Sequence, residues 1–192
     1  MMIETKRLIL RDYNMADEDA YWKLKSDSET MYYLQGLRLF DREEAKKDFQ
    51  RILRDSEDCE KRKYYFFHME LKLTHEQVGS IGYTVLSDTP NGKIVGAGYF
   101  IYPEFWNEGY TTEAFKKVLE FAFVQNNVYR VNAGCLEENI GSERVMQKCG
   151  LIKETQLVDC EWHDGNWKTR CEYRLLKHEW EDIIKNEVDM FE

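Results

Sequence analysis

The chain has few of the patterns that assign a sequence to a membrane, secreted or metal-binding class. Its five cysteines are odd in number and show no C-x-x-C spacing, which argues against a disulfide framework or a zinc site and favours reduced thiols. No stretch approaches the roughly 20 apolar residues that a membrane-spanning helix needs. The N-terminus is charged from Glu4 onward and has no apolar run, so we expect no signal peptide and a cytoplasmic protein without a membrane partner.

Basic charge is also scarce. The 192 residues include 27 Lys and Arg against 36 Asp and Glu, a net charge of −9, so we expect no nucleic acid partner. An acidic surface would suit a cationic substrate such as an amine or a basic peptide, although net charge speaks mostly to solubility. The hydrophobic content of 43% is sufficient for the core of one folded domain.

Two familiar phosphate-binding loops are missing. Neither Gly-x-x-x-x-Gly-Lys-Ser/Thr nor Gly-x-Gly-x-x-Gly occurs in the sequence. The glycines at 79, 82, 96 and 98 lie instead within predicted strands, where glycine is typical of a bulge or of close backbone packing. A phosphate site in this chain must therefore be of another kind.

The segment from Phe100 to Phe123 has the pattern of such a site. It begins as an apolar strand, passes Pro103 and a short loop around Gly109, and continues as a helix with an apolar stripe. The stripe consists of Phe115, Val118, Leu119, Ala122 and Phe123. A glycine loop that enters a helix points backbone N–H groups at one place, where the helix dipole favours an anion. We therefore predict a phosphate or pyrophosphate ligand, which the Glu108 carboxylate would oppose unless its side chain points away.

The same segment resembles the acetyl-CoA-binding motif of the GNAT N-acetyltransferases, in particular the branch of ribosomal-protein N-terminal acetyltransferases (RimJ/RimL type). Trp106 followed by Gly-Tyr-Thr-Thr-Glu-Ala at 109–114 is similar to that branch. Asn107 and Glu108 differ from it, because they stand where the branch usually has glycine and a basic residue.

Further matches extend the resemblance to about residues 3–182. The strongest is Tyr-Arg-Val-Asn-Ala at 129–133, followed by Asn139, Ser142 and a Lys-Cys-Gly-Leu-Ile-Lys-Glu run at 148–154. Weaker matches lie at 7–11 and 173–180, where the branch has its opening and closing strands. Four motifs in the family's order make the resemblance specific.

The predicted elements indicate a single α/β (α+β) domain over residues 1–192. Its mixed central sheet of about seven strands is flanked by helices, and the resemblance implies that two central strands splay apart near Phe100. The predicted strands are 7–11, 64–73, 78–86, 94–102, 130–135, 152–161 and 168–176. The predicted helices are 16–25, one capped by Asp41 that runs to about Arg54, one after Gly109, one from Asn139 to Gly150, and a last one with Trp180, Ile183 and Ile184.

The resemblance implies acetyl-CoA as the co-substrate and no metal. The pyrophosphate would lie on the loop formed by Trp106, Asn107, Glu108, Gly109, Tyr110, Thr111 and Thr112. Unpaired N–H groups at Phe100, Ile101 and Tyr102 would hold the pantetheine and polarise the thioester carbonyl. Asn139 would contact the pantetheine arm, and Ser142 would also lie against the coenzyme.

Two side chains are candidates for the proton transfers. By resemblance, Ser142 could protonate the leaving thiolate, or it could only satisfy a backbone group at the start of its helix. Met146 replaces the tyrosine of other GNAT branches, which leaves Ser142 or water as the donor. Glu161 falls where the branch has a proposed general base, and a solvated hairpin carboxylate is the alternative. Its rivals are Glu137, Glu138 and Asp159, while Gly134 stands where another branch has its base.

The acceptor and the activity stay open at this point. We expect acetyl transfer to a primary amine, either a peptide N-terminus or a small molecule, by direct attack in a ternary complex. Candidate acceptor walls are residues 26–40, with Tyr32, Tyr33 and Phe40, and the hairpin tip from Trp162 to Trp167. The alternatives are a non-catalytic acyl-CoA-binding sensor or structural module, and a nucleotide-binding regulator whose loop matches by accident. A homodimer is a further assembly that we consider.

Overall fold

The structure, a computed structural model, describes residues 1–58 and 61–189. The strands are β1 Met2–Glu4, β2 Leu8–Arg11, β3 Tyr64–Leu71, β4 Gln77–Thr89, β5 Gly92–Ile101, β6 Val128–Leu136, β7 Ile152–His163 and β8 Asn166–Leu176. The helices are α1 Glu18–Ser26, α2 Arg42–Glu57, α3 Tyr110–Glu120, α4 Ile140–Lys148 and α5 Lys177–Asp189. The chain divides into two compact units: residues 1–84 with 98–118 form the first, and residues 85–97 with those from 119 onward form the second.

The strands form one mixed sheet in the order β1-β2-β3-β4-β5-β6-β8-β7, in which β5 and β6 are parallel. Registered pairs between β5 and β6 run from Lys93 with Val128 only as far as Gly96 with Asn132, although β5 continues to Ile101. The ladder thus ends before Phe100, as predicted. The prediction of about seven strands missed β1. This strand has only 3 residues, lies at one edge of the sheet and pairs with β2.

In the first unit, α1 and α2 contribute to a hydrophobic cluster formed by Tyr13, Tyr21, Phe49 and Ile52. The Tyr21 and Phe49 ring centroids are 5.2 Å apart. Asp41 caps α2 as predicted, because its side chain accepts the Glu44 N–H at 2.9 Å. The predicted irregular segment 26–40 includes a 3-10 turn over Tyr32–Leu37.

Two glycines of β4 confirm the predicted close packing. A Cβ on Gly79 would lie 2.0 Å from the Phe100 carbonyl oxygen, and one on Gly82 would lie 1.9 Å from the Tyr65 carbonyl oxygen. Any larger residue would therefore push β4 away from its neighbours, and these glycines help to determine where Phe100 lies.

In the second unit, the apolar end of the α3 segment continues into a π-helical turn, Phe121–Gln125. Phe123 stacks on Trp180 of α5 with ring centroids 5.4 Å apart. All five residues of the predicted apolar stripe are buried. Gly150 adopts a φ of +84° just after α4, which confirms it as the residue that ends this helix.

The cysteines of the described residues are all free thiols, namely Cys135, Cys149, Cys160 and Cys171. The remaining one, Cys59, lies outside the described residues. Across residues 1–58 and 61–189, no helix combines the length and the apolar character needed to cross a membrane.

Candidate active site

The first unit contains the predicted phosphate loop. After β5 the chain makes a 3-10 turn, Pro103–Phe105, which the Trp106 N–H closes on the Pro103 carbonyl at 3.0 Å. The Trp106 indole N–H donates to the Ile101 carbonyl at 2.9 Å, so this side chain ties the loop to the end of β5. The structure therefore confirms the predicted order of a strand, a turn at Pro103 and a helix.

The loop then enters α3 with its N–H groups at the start of a helix. The Glu113 N–H bonds the Gly109 carbonyl at 3.0 Å and completes the first turn. The N–H groups of Tyr110 and Thr111 precede that bond, at positions where a helix offers no intrahelical acceptor. This geometry is the one that favours an anionic ligand.

Two residues of the loop adopt left-handed backbone conformations. Gly109 has a φ of +76° and Asn107 a φ of +64°. Asparagine tolerates this region better than most non-glycine residues, so Asn107 can hold this conformation at the position where the similar branch usually has glycine. A Cβ on Gly109 would meet the Arg7 guanidinium at an ordinary 3.6 Å, so Gly109 is required for its conformation rather than for space.

Arg7 and Glu113 form a brace beneath this loop. The Arg7 Nε bonds a Glu113 carboxylate oxygen at 2.7 Å, and Nη1 donates to the Glu108 carbonyl at 3.0 Å. The same guanidinium lies 4.2 Å from the centre of the Tyr110 ring. Glu113 also accepts from the Thr5 hydroxyl at 2.5 Å and from the Arg7 backbone N–H at 2.8 Å.

Electrostatics keep this brace ionised. Burial acts to raise the pKa of Glu113, but the hydrogen bonds from Thr5 and Arg7 outweigh it and hold that pKa below its usual value. The sequence analysis missed the brace as a functional element because Arg7 and Glu113 are 106 positions apart.

The end of β5 requires a correction. The Tyr102 N–H donates to the Val78 carbonyl at 3.1 Å, so the prediction of unpaired N–H groups is wrong for this residue. Because successive N–H groups of a strand point to opposite edges, the Phe100 N–H points toward β4 as well, and the Ile101 N–H points away from it. The predicted amide contact with the coenzyme therefore rests on Ile101.

The second unit contains the predicted proton donor. Asn139 caps α4 by accepting the Ser142 N–H at 3.1 Å through its side-chain oxygen. Ser142 interacts with the thiol of Cys135 on β6. Burial raises the pKa of this thiol to about 11, and the interaction with Ser142 acts in the opposite direction. Ser142 thus lies beside a thiol that stays protonated at neutral pH.

Glu161 is held by an arginine. Its carboxylate lies 3.0 Å from Nη1 of Arg170, and Nε of the same arginine bonds Glu172 at 2.5 Å. The register of β7 shifts between Leu157 and Glu161, where Asp159 has a φ of +49°. This bulge decides which side of the hairpin carries Glu161, and the sequence did not predict it.

Glu172 is a carboxylate that the sequence analysis missed. It pairs in register with Gly134, and a Cβ on Gly134 would lie 2.4 Å from Glu172 Oε2. The Glu172 side chain therefore covers the position at which another GNAT branch has its base. Only the register of β6 with β8 reveals this relationship.

The rival carboxylates also lie in the second unit. Glu137, Glu138 and Asp159 line a small cavity of about 150 Å³. Glu138 bonds Lys168 at 2.6 Å, and Glu137 accepts from Gln156 at 2.8 Å.

At the hairpin tip, Trp162 and Trp167 pack edge to face with ring centroids 5.4 Å apart. Among the residues that the structure describes, no three His, Cys, Asp or Glu side chains form a group that could hold a metal.

A larger cavity, of about 570 Å³, opens in the first unit. We call it the α1–α2 cavity, and its walls include Lys25, Asp48, Arg51, Phe66 and Phe100. The predicted acceptor segment 26–40 contributes residues 36–39 to its lining. The aromatic residues predicted as acceptor walls in that segment are not part of this lining, which places them outside the cavity: Tyr32, Tyr33 and Phe40.

Known proteins resemble this chain over most of its length. A family model described as an acetyltransferase (GNAT) domain matches residues 7–152. The chain is 31% identical to an uncharacterised N-acetyltransferase, YnaD, of Bacillus subtilis (strain 168), across 94% of this chain and 99% of the relative.

Two solved structures share the fold at low sequence identity. The ribosomal-protein-S5-alanine acetyltransferase of Vibrio fischeri superposes with a TM-score of 0.80 at 18% identity, covering 94% of this chain and 98% of its own. The spermidine N-acetyltransferase of Vibrio cholerae, in complex with CoA and spermine, superposes with a TM-score of 0.78 at 16% identity, covering 90% and 97%.

Proposed function

The chain belongs to the GNAT acetyltransferase family and is an N-acetyltransferase, and from this premise we propose that it transfers an acetyl group from acetyl-CoA to a primary amine. The acceptor is a protein N-terminus or a small amine, which attacks the thioester directly in a ternary complex. The observation that carries the proposal is the loop 106–112, with left-handed Asn107 and Gly109 ahead of α3. The similar Vibrio cholerae structure contains CoA, which supports the choice of donor.

Donor binding is assigned to the backbone of the loop. The N–H groups at the start of α3 would hold the pyrophosphate, while Trp106 and the Arg7 brace keep the loop in shape. The Ile101 N–H would bind the thioester carbonyl oxygen, where negative charge develops as the amine attacks. Asn139 would contact the pantetheine arm through its amide NH2, because its oxygen already caps α4.

The reaction needs two proton transfers. The amine nitrogen forms a bond to the carbonyl carbon and loses a proton, and the carbon–sulfur bond breaks to release a thiolate that takes one up. We assign protonation of the thiolate to Ser142 and deprotonation of the amine to Glu161. Glu172 is the second candidate for the base, because Arg170 holds both carboxylates.

The proposal is tested by thiol release from acetyl-CoA with a panel of N-terminal peptides, amino acids, polyamines and amino sugars. We expect acceptor-dependent release, together with an acetylated product of the matching mass. Tight CoA binding without release across the panel would favour the non-catalytic acyl-CoA-binding module instead. Binding of ATP in preference to CoA would favour the nucleotide-binding regulator.

The cellular setting follows from the same proposal. We place the enzyme in the cytoplasm, where acetyl-CoA is available, and the free thiols of the described cysteines agree with that compartment. Acetyl-CoA and the amine acceptor are its partners. Sedimentation of the purified chain decides between a monomer and the homodimer that we also consider.

A further inference from the structure

Lys25, near the end of α1, is a buried cation without an ionic partner. The whole residue is only 7% exposed. Within residues 1–58 and 61–189, no hydrogen bond or ion pair engages its ammonium group, and the nearest described interaction is the Phe100 ring, whose centre lies 4.3 Å from Nζ. The Lys25 Nζ atom is not among the described buried side-chain atoms that lack a hydrogen-bond partner, so the ammonium keeps access to the solvent. Removing most of a charged residue from water is costly, and an anionic ligand that reaches the ammonium would offset that cost.

The position of Lys25 gives that ligand access. Lys25 lines the α1–α2 cavity, whose volume of about 570 Å³ is in the range of small-molecule sites. Phe100, which lies under the ammonium, also lines the cavity and immediately precedes Ile101, the residue assigned to the thioester carbonyl. A ligand in this cavity therefore lies against the strand end at which we expect the acetyl group.

The charge around the cavity favours an anion. Its lining includes the basic residues Lys25, Arg38, Lys47 and Arg51 and the acidic residues Glu44 and Asp48, although the whole chain carries −9. Asp48 is already engaged, because it accepts from the Tyr21 hydroxyl at 2.5 Å and from Arg51 Nη2 at 2.5 Å. The Asp48 carboxylate is thus shared between two other donors.

We propose that the α1–α2 cavity binds an amine acceptor that carries a carboxylate, and that Lys25 binds this carboxylate. The inference rests on the proposed function and specifies its acceptor. It reverses the expectation, drawn from net charge, of a cationic substrate, because Lys25 would repel a polyamine. The carboxylate can belong to a free amino acid or to an acidic residue at a peptide N-terminus.

The test compares acceptors that differ only in the carboxylate. Amino acids and ω-amino acids are measured against their amides, peptides that begin with Asp or Glu against those that begin with Asn or Gln, and spermidine is included. We expect kcat/KM to be at least about tenfold higher for the carboxylate member of the preferred pair. The free amino acids and the peptides separate the two sources of the carboxylate.

Two lysine variants complete the design. Lys25→Met should remove the preference for the carboxylate, so that kcat/KM for the carboxylate acceptor falls to about the value for its amide in the same variant. Lys23→Met, an exposed lysine of the same helix that does not line the cavity, should keep the preference. Faster transfer to spermidine or to the amides, or an unchanged preference in Lys25→Met, overturns the inference and leaves the proposed function intact.

A binding measurement decides the case in which no acceptor is acetylated. Calorimetric titration of the wild type with the same carboxylates should show binding that Lys25→Met loses and Lys23→Met retains. Binding of this kind without turnover supports the carboxylate site and contradicts the proposed function. Absence of binding by the wild type to every carboxylate in the panel overturns the carboxylate site.

Discussion

Arg7 and Glu113 are joined by a bond of 2.7 Å between Nε and a carboxylate oxygen, and this pair connects the chain before β2 to the first turn of α3. Arg7 also bonds the carbonyl of Glu108, so one guanidinium holds both the loop and the helix that follows it. In the proposed function, the pair therefore acts on coenzyme binding through the loop and does not need to touch the coenzyme.

The first prediction concerns this brace. Arg7→Gln should raise the KM for acetyl-CoA about five- to tenfold, because the loop loses hydrogen bonds to a charged group worth on the order of 1 kcal/mol in a half-exposed setting. The value of kcat should change less. Lys6→Gln, its neighbour in the chain, is the matched control. An unchanged KM in Arg7→Gln would show that the loop keeps its shape without the brace.

A pH dependence follows from the same pair. Because the pKa of Glu113 is lower in the folded protein than in the unfolded chain, the brace stabilises the fold above the usual pKa of a glutamate. This stabilisation is lost as the pH falls through the lowered pKa. The free energy of unfolding of Glu113→Gln should therefore fall less steeply with decreasing pH than that of the wild type. Urea unfolding between about pH 6 and about pH 3 measures this difference. An equal decrease in the free energy of unfolding of the wild type and Glu113→Gln would contradict the stabilising role of Glu113.

Lys25 leads to a stability prediction in which removal of the charged group stabilises the protein. Burial lowers its pKa from 10.5 to about 8, so the unfolded chain holds a proton that the folded protein releases between these values. Stability from this group therefore rises as the pH rises from about 8 toward 10.5. Lys25→Met should remove the cost and stabilise the protein at neutral pH by up to roughly 3 kcal/mol. Lys23→Met should have no such effect, and destabilisation of Lys25→Met relative to it would refute the prediction.

Asn139 allows capping and coenzyme binding to be measured separately. Asn139→Ala should cost about 1 kcal/mol of stability, because the Ser142 N–H loses its acceptor. Asn139→Asp should keep the cap and the stability, since aspartate is an equally good cap, but it lacks the NH2 donor. If Asn139 contacts the pantetheine arm, both variants raise the KM for acetyl-CoA. A normal KM in Asn139→Asp would limit this residue to its structural role.

Ser142 and the two carboxylates are distinguished by kinetics. Ser142→Ala should lower kcat by roughly 100-fold if the hydroxyl protonates the thiolate, with little change in the KM for acetyl-CoA. Ser142→Thr, which keeps a hydroxyl, is the control and should retain much of the rate. Equal rates in Ser142→Ala and the wild type leave protonation to water.

The identity of the base is a separate measurement. Glu161→Gln and Glu172→Gln both keep hydrogen bonds with Arg170, so either variant should fold. The variant of the true base should lose the acidic limb of the pH–rate profile and most of kcat. If only Glu172→Gln loses kcat and the acidic limb, Glu172 is the general base and Glu161 is not.

Local sequence was sufficient wherever the physical cause lies within a few residues. Asp41 and Asn139 cap α2 and α4 as predicted, because a cap needs only a side-chain oxygen beside the first free N–H groups. The apolar stripe that begins in α3 and the end of α4 at the left-handed Gly150 could be predicted for the same reason. The loop and its resemblance to the GNAT motif also depend on contiguous residues.

Tertiary structure decided what depends on strand register and on burial. The Arg7–Glu113 brace, the cover of Glu172 over Gly134 and the bond that occupies the Tyr102 N–H all join residues brought together only by the sheet. Lys25 appears in the sequence as one more lysine on a charged helix. Its place in the wall of a cavity exists only because packing removes most of the residue from water while Asp48 is bonded to Tyr21 and Arg51, and the cost of a buried charge is set by its surroundings rather than by its residue type.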